Sequence, residues 1–310
     1  MFLLSTKNFA IIGTGVVGTS IAVLLEQAGL KCIGVNTRSQ ASYQRFCRYL
    51  SKEHLSLEQI SKRANLIFIT TQDSSIEKVA EKLSAYKQRK KDQIWIHCSG
   101  SLRSEVMCKD PSLQVGYLSI HPLQAFATVD SALTLLAGTH YGLEGSTGKV
   151  EEIGVALVEL LGGIPHRIEP SKKTLYHAAA VVASNYLVSL CFLAVKLFNL
   201  AGINEEDALK SLLPLMEGSY KNIGQVGITE ALTGPIARGD VQVVAKHLLE
   251  MPPEFVDIYK GLGRLALEIG QNKGNKHGHG YDQKTFQNLK LLLESSAEIG
   301  THRSEENEYN

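Results

Sequence analysis

The stretch that most constrains the fold is residues 9–25, FAIIGTGVVGTSIAVLL, close to the start of the sequence. A short apolar run enters a glycine pattern at Gly13, Gly15 and Gly18, and an apolar segment suited to a helix leaves it. In such a unit the first glycine makes a tight turn, the second lets the backbone approach a pyrophosphate, and the third lets helix and strand pack closely. The pattern therefore predicts a dinucleotide-binding strand, turn and helix. A glycine-rich turn that holds no ligand is the alternative.

Two patterns follow one another along the chain. Short apolar runs alternate with helical segments as far as Ile168, and after that we find helices and turns but no convincing strand. The alternation predicts a largely parallel sheet covered on both faces. We therefore expect an α/β fold with a doubly wound Rossmann domain at 1–168. An all-α domain for substrate binding and dimerisation should follow at 169–298, and a flexible tail at 299–310.

Composition narrows the class of protein. A net charge of +1 gives no case for a nucleic-acid partner, and five scattered cysteines without a CxxC pair fit a reducing compartment. The longest apolar run, residues 186–203, is interrupted by Lys196 and Asn199, so we expect a buried or subunit-interface helix rather than a membrane span. The first ten residues lack a signal-peptide pattern. We expect a cytoplasmic protein without membrane or nucleic-acid partners.

Polar loops after three predicted strands are candidates for holding the nucleotide. The second predicted strand ends in Asn36, Thr37 and Arg38, without the carboxylate that binds the ribose hydroxyls of NAD. Arg38 can pair with a 2′-phosphate, which favours NADP(H), although a solvated loop arginine is the alternative. Ligands lie beyond the carboxyl ends of parallel strands, so later loops should line the cofactor too. The predicted cofactor-binding residues are Gly13, Thr14, Gly15, Val16, Val17, Gly18, Asn36, Thr37, Arg38, Thr70, Thr71, Gln72, Ser99 and Gly100.

The segment YHAAAVVASNY, residues 176–186, carries the candidate catalytic residues. His177 and Ser184 are seven residues apart and share a helix face, and Asn185 lies at the edge of that face. A histidine can give a proton to a developing alkoxide or amine, and Ser or Asn can orient a substrate by hydrogen bonds. In the alternative interpretation His177 makes a core contact and Ser184 bonds back to a carbonyl.

Three further residues are candidates for binding the substrate. His121 and Gln124 follow a predicted strand at the ligand edge of the sheet. Arg238 is the best free cation of the helical half for a substrate carboxylate, although a solvated arginine is at least as good an interpretation.

Two other groups of side chains are given no chemistry. Lys172 and Lys173 suit a solvated helix start, and His277 and His279 lie in a glycine-rich loop without a third ligand. We therefore expect no metal.

Several motifs together resemble one protein family. They are the Gly13–Gly18 loop, HCSGS, HPLQAF, the LEG at 143–145, YHAAAVVASNY and TGPIARGD, and they resemble the Rossmann-like DUF2520 group of the 6-phosphogluconate-dehydrogenase-like superfamily. The resemblance covers the chain nearly to residue 295, and the superfamily includes pyrroline-5-carboxylate reductase and ketopantoate reductase. It implies an N-terminal NADP-binding domain and a homodimer that shares its C-terminal helices. Some members of the group act as ketopantoate reductases.

The chain departs from the superfamily at one informative place. Ordinary ketopantoate reductases and β-hydroxyacid dehydrogenases use a lysine and an asparagine four residues apart on the long helix. Here His177 stands where a lysine is expected and position 181 is valine, so that pair cannot be transferred. His177 becomes the first choice for the proton donor.

These observations predict an NADP-dependent oxidoreductase that transfers hydride to the C=O of a small carboxylated substrate. 2-Dehydropantoate is the leading specific substrate. The alternatives are an imine reductase of the pyrroline-5-carboxylate type, a non-catalytic NADP-binding regulator, and a dimeric scaffold that binds no nucleotide.

Overall fold

A seven-stranded sheet forms the first part of the chain in the computed structural model, which describes residues 4–277 and 280–295. Its strand order is β2-β1-β3-β4-β5-β6-β7. Strands β1 to β5 are mutually parallel, β6 is antiparallel to β5, and β7 is parallel to β6, which confirms the predicted largely parallel sheet. The strands are β1 (Asn8–Ile12), β2 (Lys31–Asn36), β3 (Leu66–Ile69), β4 (Ile94–His97), β5 (Gly116–Pro122), β6 (His140–Gly145) and β7 (Ile164–Arg167).

Helices cover both faces of this sheet. Phe9 and Ile11 of β1 belong to one buried apolar cluster, whereas Ala10 and Ile12 belong to another, because alternate residues of a strand point to opposite faces. Burial on both sides explains why β3 reads as the uninterrupted apolar run LIFI. The helices of this part are α1 (Val16–Gln27), α2 (Gln40–Cys47), α3 (Leu57–Arg63), α4 (Asp73–Ser84), α5 (Val129–Leu135), α6 (Gly148–Leu160) and α7 (Lys173–Ala183).

The long helix predicted after residue 172 is interrupted. Helix α7 ends at Ala183, Ser184 is a turn residue, and α8 begins at Asn185 and ends at Leu200. The chain divides into two compact units, Met1–Leu187 and Val188–Asn310, so α7 groups with the sheet. The predicted domain boundary after Ile168 stays a prediction.

The second unit is helical over its described residues. After α8 come α9 (Glu205–Ala231), α10 (Pro235–Arg238), α11 (Val241–Glu250), α12 (Pro253–His277) and α13 (Gln283–Glu294). Helix α9 continues through Gly218, since a glycine inside a helix costs about 1 kcal/mol without ending the helix. The non-helical residue is Gly227, with φ 79°. The predicted tail, 299–310, lies outside the described residues.

Candidate active site

The turn after β1 is built around two glycines that admit no side chain. Gly13 has φ +102°, and a Cβ there would lie 2.8 Å from the Thr70 carbonyl oxygen. A Cβ on Gly18 would overlap the carbonyl oxygen of Gly13 and the Thr70 hydroxyl. The Thr70 Oγ1 hydroxyl donates to the Gly13 carbonyl at 2.6 Å. These contacts join the start of α1 to the ends of β1 and β3, which are neighbours in the sheet.

Gly15 differs from these two glycines. It is the N-cap of α1 and has φ −75°, and a Cβ built on it meets nothing within 4 Å. The N–H groups of the first helical turn have no partner inside the helix and carry a partial positive charge. The open space beside Gly15 is therefore suited to an anion.

A cleft of about 870 Å³ opens at this point. It contains nine of the predicted cofactor residues, in three groups after β1, β2 and β3: Gly13, Thr14, Gly15, Asn36, Thr37, Arg38, Thr70, Thr71 and Gln72. The side chains of Val16 and Val17 pack against the apolar core instead, and Gly18 lies behind the turn. Contact with a cofactor stays a prediction for these nine residues, as it does for Val16, Val17, Gly18, Ser99 and Gly100.

Three cations in the cleft were missed by the sequence analysis. Arg45 of α2 and both Lys78 and Lys82 of α4 line the cleft with Arg38, and no Asp or Glu is among its lining residues. Lys78 and Lys82 are four residues apart and share a helix face. This helix directly follows a predicted ligand loop. The spacing of Lys78 and Lys82 on it could therefore have identified both residues as candidates from the sequence. Four cations without a carboxylate favour a ligand with several negative charges.

The loop after β4 is held by hydrogen bonds to Asp73 of α4 and His97 of β4. The Asp73 carboxylate accepts hydrogen bonds from the hydroxyls of Ser99 at 2.7 Å and Ser101 at 3.2 Å. His97 is buried, and its Nε2 lies 3.1 Å from the Arg103 carbonyl oxygen. Its Nδ1 accepts a hydrogen bond from the Ser99 N–H at 3.1 Å. Burial, then nearby Lys173, lowers the pKa of His97 to about 4. His97 is therefore a neutral structural residue, and the Ser99 hydroxyl is engaged within the loop.

A pair of histidines lies over this loop. His121 at the end of β5 and His177 on α7 have ring centroids 5.9 Å apart and an interplanar angle of 73°. Both rings contact Gly100, where a Cβ would lie 2.5 Å from His177 Cδ2 and 2.8 Å from His121 Nε2. His121 Nδ1 is 3.1 Å from the Tyr176 hydroxyl. The structure thus brings together one predicted catalytic and one predicted substrate-binding residue.

Burial and the neighbouring His177 lower the pKa of His121 to about 4. His121 is consequently unprotonated at neutral pH, and the Tyr176 hydroxyl can donate to its Nδ1. Tyr176 was missed by the sequence analysis, because its approach to β6 at Gly142 depends on the docking of α7.

The other predicted site residues are not brought to this pair. Ser184 ends α7 about two turns after His177, and Asn185 begins α8. Gln124 is exposed and its Oε1 accepts from the N–H of Ala125 at 3.0 Å. Roles for these three residues stay predictions.

Arg238 was expected to be a free cation, and the structure corrects this. Its guanidinium donates to the Asp240 carboxylate at 2.9 Å, on an exposed turn of the second unit. Asp240 occupies the N-cap position of α11, but its carboxylate bonds to Arg238 rather than to the helix N–H groups. Substrate binding by Arg238 stays a prediction.

The expectation for Lys173 is wrong. Lys172 is exposed as predicted, but Lys173 is only 2% exposed. Its Nζ donates to the Ser119 hydroxyl and lies 3.5 Å from the Glu144 carboxylate, which is also 2% exposed. Lys173, which the sequence predicted to be solvated, is therefore a buried charge.

Metal-binding side chains form no cluster of three or more His, Cys, Asp or Glu in the part of the chain that the structure describes. The side chain of His277, and His279 entirely, lie outside that part.

The cleft and the histidine pair lie at one edge of one sheet. The carboxyl ends of β1 to β4 are marked by Gly13, Asn36, Thr70 and Gly100, which end or follow these strands. His121 lies near the end of β5, which is parallel to them. β1 and β5 are three strand spacings apart, ~14 Å. This edge is where doubly wound sheets bind ligands, at the point where the strand order reverses on either side of β1. An extended ligand whose phosphates lie in the cleft can therefore extend towards the imidazoles.

Comparisons with known proteins agree with this architecture. Residues 5–122 match the family model of a Rossmann-like domain, and residues 139–266 match the model described as Domain of unknown function (DUF2520). A comparison with curated protein sequences finds no match.

Solved structures share the fold over most of their lengths. Protein TM1727 from Thermotoga maritima is 29% identical, with a TM-score of 0.68 over 86% of this chain and 99% of that one. Protein BF3122 from Bacteroides fragilis, provisionally described as an NADP oxidoreductase, is 20% identical, with a TM-score of 0.68 over 84% and 98%. The Plasmodium falciparum pyrroline carboxylate reductase, solved with NADP bound, is 12% identical, with a TM-score of 0.52 over 94% and 97%. The chain therefore has a Rossmann-like domain in its first part and resembles the DUF2520 family over residues 139–266.

Proposed function

We propose that this protein is an NADPH-dependent oxidoreductase that reduces the C=O group of a small carboxylated substrate. The observation that carries the proposal is the presence of a cationic cleft and a histidine pair at the same carboxyl edge of one sheet. The first substrate to test is 2-dehydropantoate, as the resemblance to ketopantoate reductases suggests.

The residues of the cleft fit the phosphates of NADPH. The open space at Gly15 lies at the start of α1, where backbone N–H groups can bind a pyrophosphate. Arg38 and Arg45, with Lys78 and Lys82, supply four positive charges for the pyrophosphate and a 2′-phosphate. NADPH supplies the hydride when it is bound, and the BF3122 and Plasmodium proteins are described as users of NADP.

The histidine pair supplies the proton. A carbonyl that accepts hydride becomes an alkoxide, which a nearby imidazolium can protonate. Two adjacent imidazoles do not both ionise readily, because their like charges repel. Because His121 stays neutral, we assign the role of proton donor to His177. His121, held by Tyr176, remains a neutral hydrogen-bonding group beside the substrate.

The test is a spectrophotometric assay of NADPH oxidation with the purified protein. We expect turnover with 2-dehydropantoate or a related 2-keto acid. Reduction of pyrroline-5-carboxylate alone would instead favour the imine reductase, a class to which the Plasmodium neighbour belongs. NADPH binding without turnover of any keto acid or imine would indicate a regulator and overturn the proposal.

Cofactor preference gives a separate prediction. Arg38→Ala is expected to weaken NADPH binding by roughly tenfold or more, because a charge-assisted hydrogen bond to the 2′-phosphate is lost. NADH binding should be unchanged. Fluorescence titration of both nucleotides measures this, and Arg48→Ala is a matched control since Arg48 is exposed directly after α2 but does not line the cleft. An equal loss for NADH would place Arg38 away from the phosphate.

We further propose a homodimer formed through the C-terminal helices. Large apolar side chains are exposed on α8 and α9, including Phe192 at 61%, Leu213 at 55% and Tyr220 at 77%. Large exposed apolar patches mark interaction sites. A second copy of the chain is the partner that the family resemblance implies.

One segment in the described part of the chain, Pro170–Leu200, which contains α7 and α8, is also long and apolar enough to cross a membrane by length and composition. We favour subunit contact and a cytoplasmic location, in keeping with the five free cysteines.

Phe192→Glu is expected to convert the dimer to a monomer, because a buried unpaired carboxylate is costly at a subunit interface. Light scattering after size-exclusion chromatography gives the mass directly. Lys246→Glu, on the exposed side of α11, is the control and should leave the dimer intact. A monomeric parent protein, or one that sediments with lipid vesicles, would contradict the proposed dimer.

A further inference from the structure

Helix α7 meets strand β5 at two successive places. Lys173 and His177 are four residues apart on the helix, a rise of about 6 Å. Ser119 and His121 are two residues apart on one face of the strand, a rise of about 6.6 Å. The first contact joins Lys173 to Ser119, and the second joins His177 to His121. Since the two spacings nearly match, fixing the first contact also fixes the second.

The first contact is embedded in a buried polar network. Glu144 of β6, 3.5 Å from Lys173 Nζ, also accepts from the Ser104 N–H at 2.9 Å and the Ser104 hydroxyl at 2.7 Å. The Ser119 hydroxyl donates to the Ser99 carbonyl at 3.3 Å. The side chain of Lys173 is thereby connected to β5, to β6 and to the loop that carries Gly100.

A buried ion pair is weak evidence for stability, because removing two charges from water offsets much of their attraction. An apolar residue at position 173 would bury equally well, but it could slide along β5 by a fraction of a turn. A cation that must reach both Ser119 and Glu144 does not tolerate such a shift, because it would leave a buried charge without a partner.

We propose that Lys173 is a positioning residue that fixes the register of α7 on β5 and so holds His177 against His121. The inference rests on the proposed function, since it concerns the proton-donating pair assigned there. Lys173 acts through the histidines and donates no proton itself, because Ser119 and Glu144 occupy its Nζ.

Lys173 also acts on His121 by its charge. The groups facing His121 are His177, Tyr176 and Lys173 from α7, Asp73 from α4, and His97 from β4. After burial and His177, the Lys173 cation lowers the pKa of His121 further, whereas Asp73 raises it. Removal of the cation should therefore raise this pKa.

The experiment uses Lys173→Met, which keeps an unbranched side chain one atom shorter and removes its charge, and Lys172→Met as the exposed control. Proton NMR of the cofactor-free protein gives the His121 pKa and the contact between the His121 and His177 rings. We expect Lys173→Met to raise the His121 pKa and weaken the ring contact, and Lys172→Met to change neither. NADPH affinity should be unchanged, and kcat for the substrate found above should fall about 100-fold, as expected for a displaced catalytic group.

The double variant Lys173→Met, Glu144→Gln covers the case in which the single variant unfolds, because it leaves no unpaired carboxylate. The proposal is upheld if the double variant folds with a weakened ring contact. It is overturned if the ring contact matches that of the parent protein, even where the His121 pKa is raised, because the loss of the charge alone can raise that pKa. Since the NMR readouts need neither cofactor nor turnover, this outcome is distinct from failure of the oxidoreductase proposal.

Discussion

Gly15→Asp is expected to leave the protein folded and to reduce NADPH affinity by about 100-fold or more, which corresponds to ~2.7 kcal/mol. A side chain at Gly15 enters open space, and the backbone there has a φ of −75°, which any residue adopts. Aspartate is also a favourable N-cap residue, so α1 should not be weakened. The new carboxylate would, however, occupy the space proposed for the pyrophosphate and repel it. Fluorescence titration and thermal unfolding measure the two effects separately.

Two matched variants make this test specific. Gly15→Ala adds a methyl group without charge and should preserve both folding and most of the affinity. Gly18→Ala should instead destabilise the protein by roughly 1–3 kcal/mol, because its Cβ overlaps the Gly13 carbonyl oxygen. If Gly15→Asp bound NADPH as tightly as the parent protein, the cleft would not be the pyrophosphate site.

His177→Ala is expected to lower kcat by about 10²- to 10⁴-fold for a carbonyl substrate, the range that general acid catalysis supplies. The NADPH dissociation constant should not change, because His177 does not line the cleft where the phosphates are proposed to bind. Steady-state kinetics with the substrate identified in the oxidation assay, together with nucleotide titration, measure both quantities.

Lys172→Ala is the control for this experiment, since Lys172 is exposed and directly precedes α7. We expect it to have a small effect. If His177→Ala retained full activity on a ketone, the proton would come from another group. Full activity on a cyclic imine alone would favour the imine reductase, because an imine that binds already protonated needs no acid.

Local sequence patterns were sufficient to predict the strands and helices that form the nucleotide end of the sheet. The glycine spacing between Gly13 and Gly18 and the buried runs of β3 and β4 encode strand, turn and helix within a few residues, so the sheet and the phosphate end of the cleft were predictable. The reach of α9 through Gly218 was not, because the penalty of one glycine is smaller than the gain from continuing a long helix.

The polar contacts of the site could be predicted only where partners lie close in sequence. The pairing of Arg238 with Asp240, two residues apart, was within reach of sequence reasoning. The burial of Lys173 was not, since its partners Ser119 and Glu144 lie 54 and 29 positions earlier and meet it only when β5 and β6 are paired. A lysine at a helix start is ordinarily solvated. Lys173 is buried because the pairing of β5 with β6 places its two partners side by side.

Because β6 is antiparallel to β5, one connection of the chain can vary in sequence near the proposed substrate site. β5 ends and β6 begins at the same edge of the sheet, so the connection between them, residues 123–139, leaves and returns on the side of the histidines. The connections between the parallel strands β1 to β5 must instead cross to the opposite edge before the next strand begins. Insertions or deletions among the exposed residues 123–125 therefore alter the surroundings of His121 without changing the strand order. Related proteins can in this way acquire different substrates while they keep one cofactor.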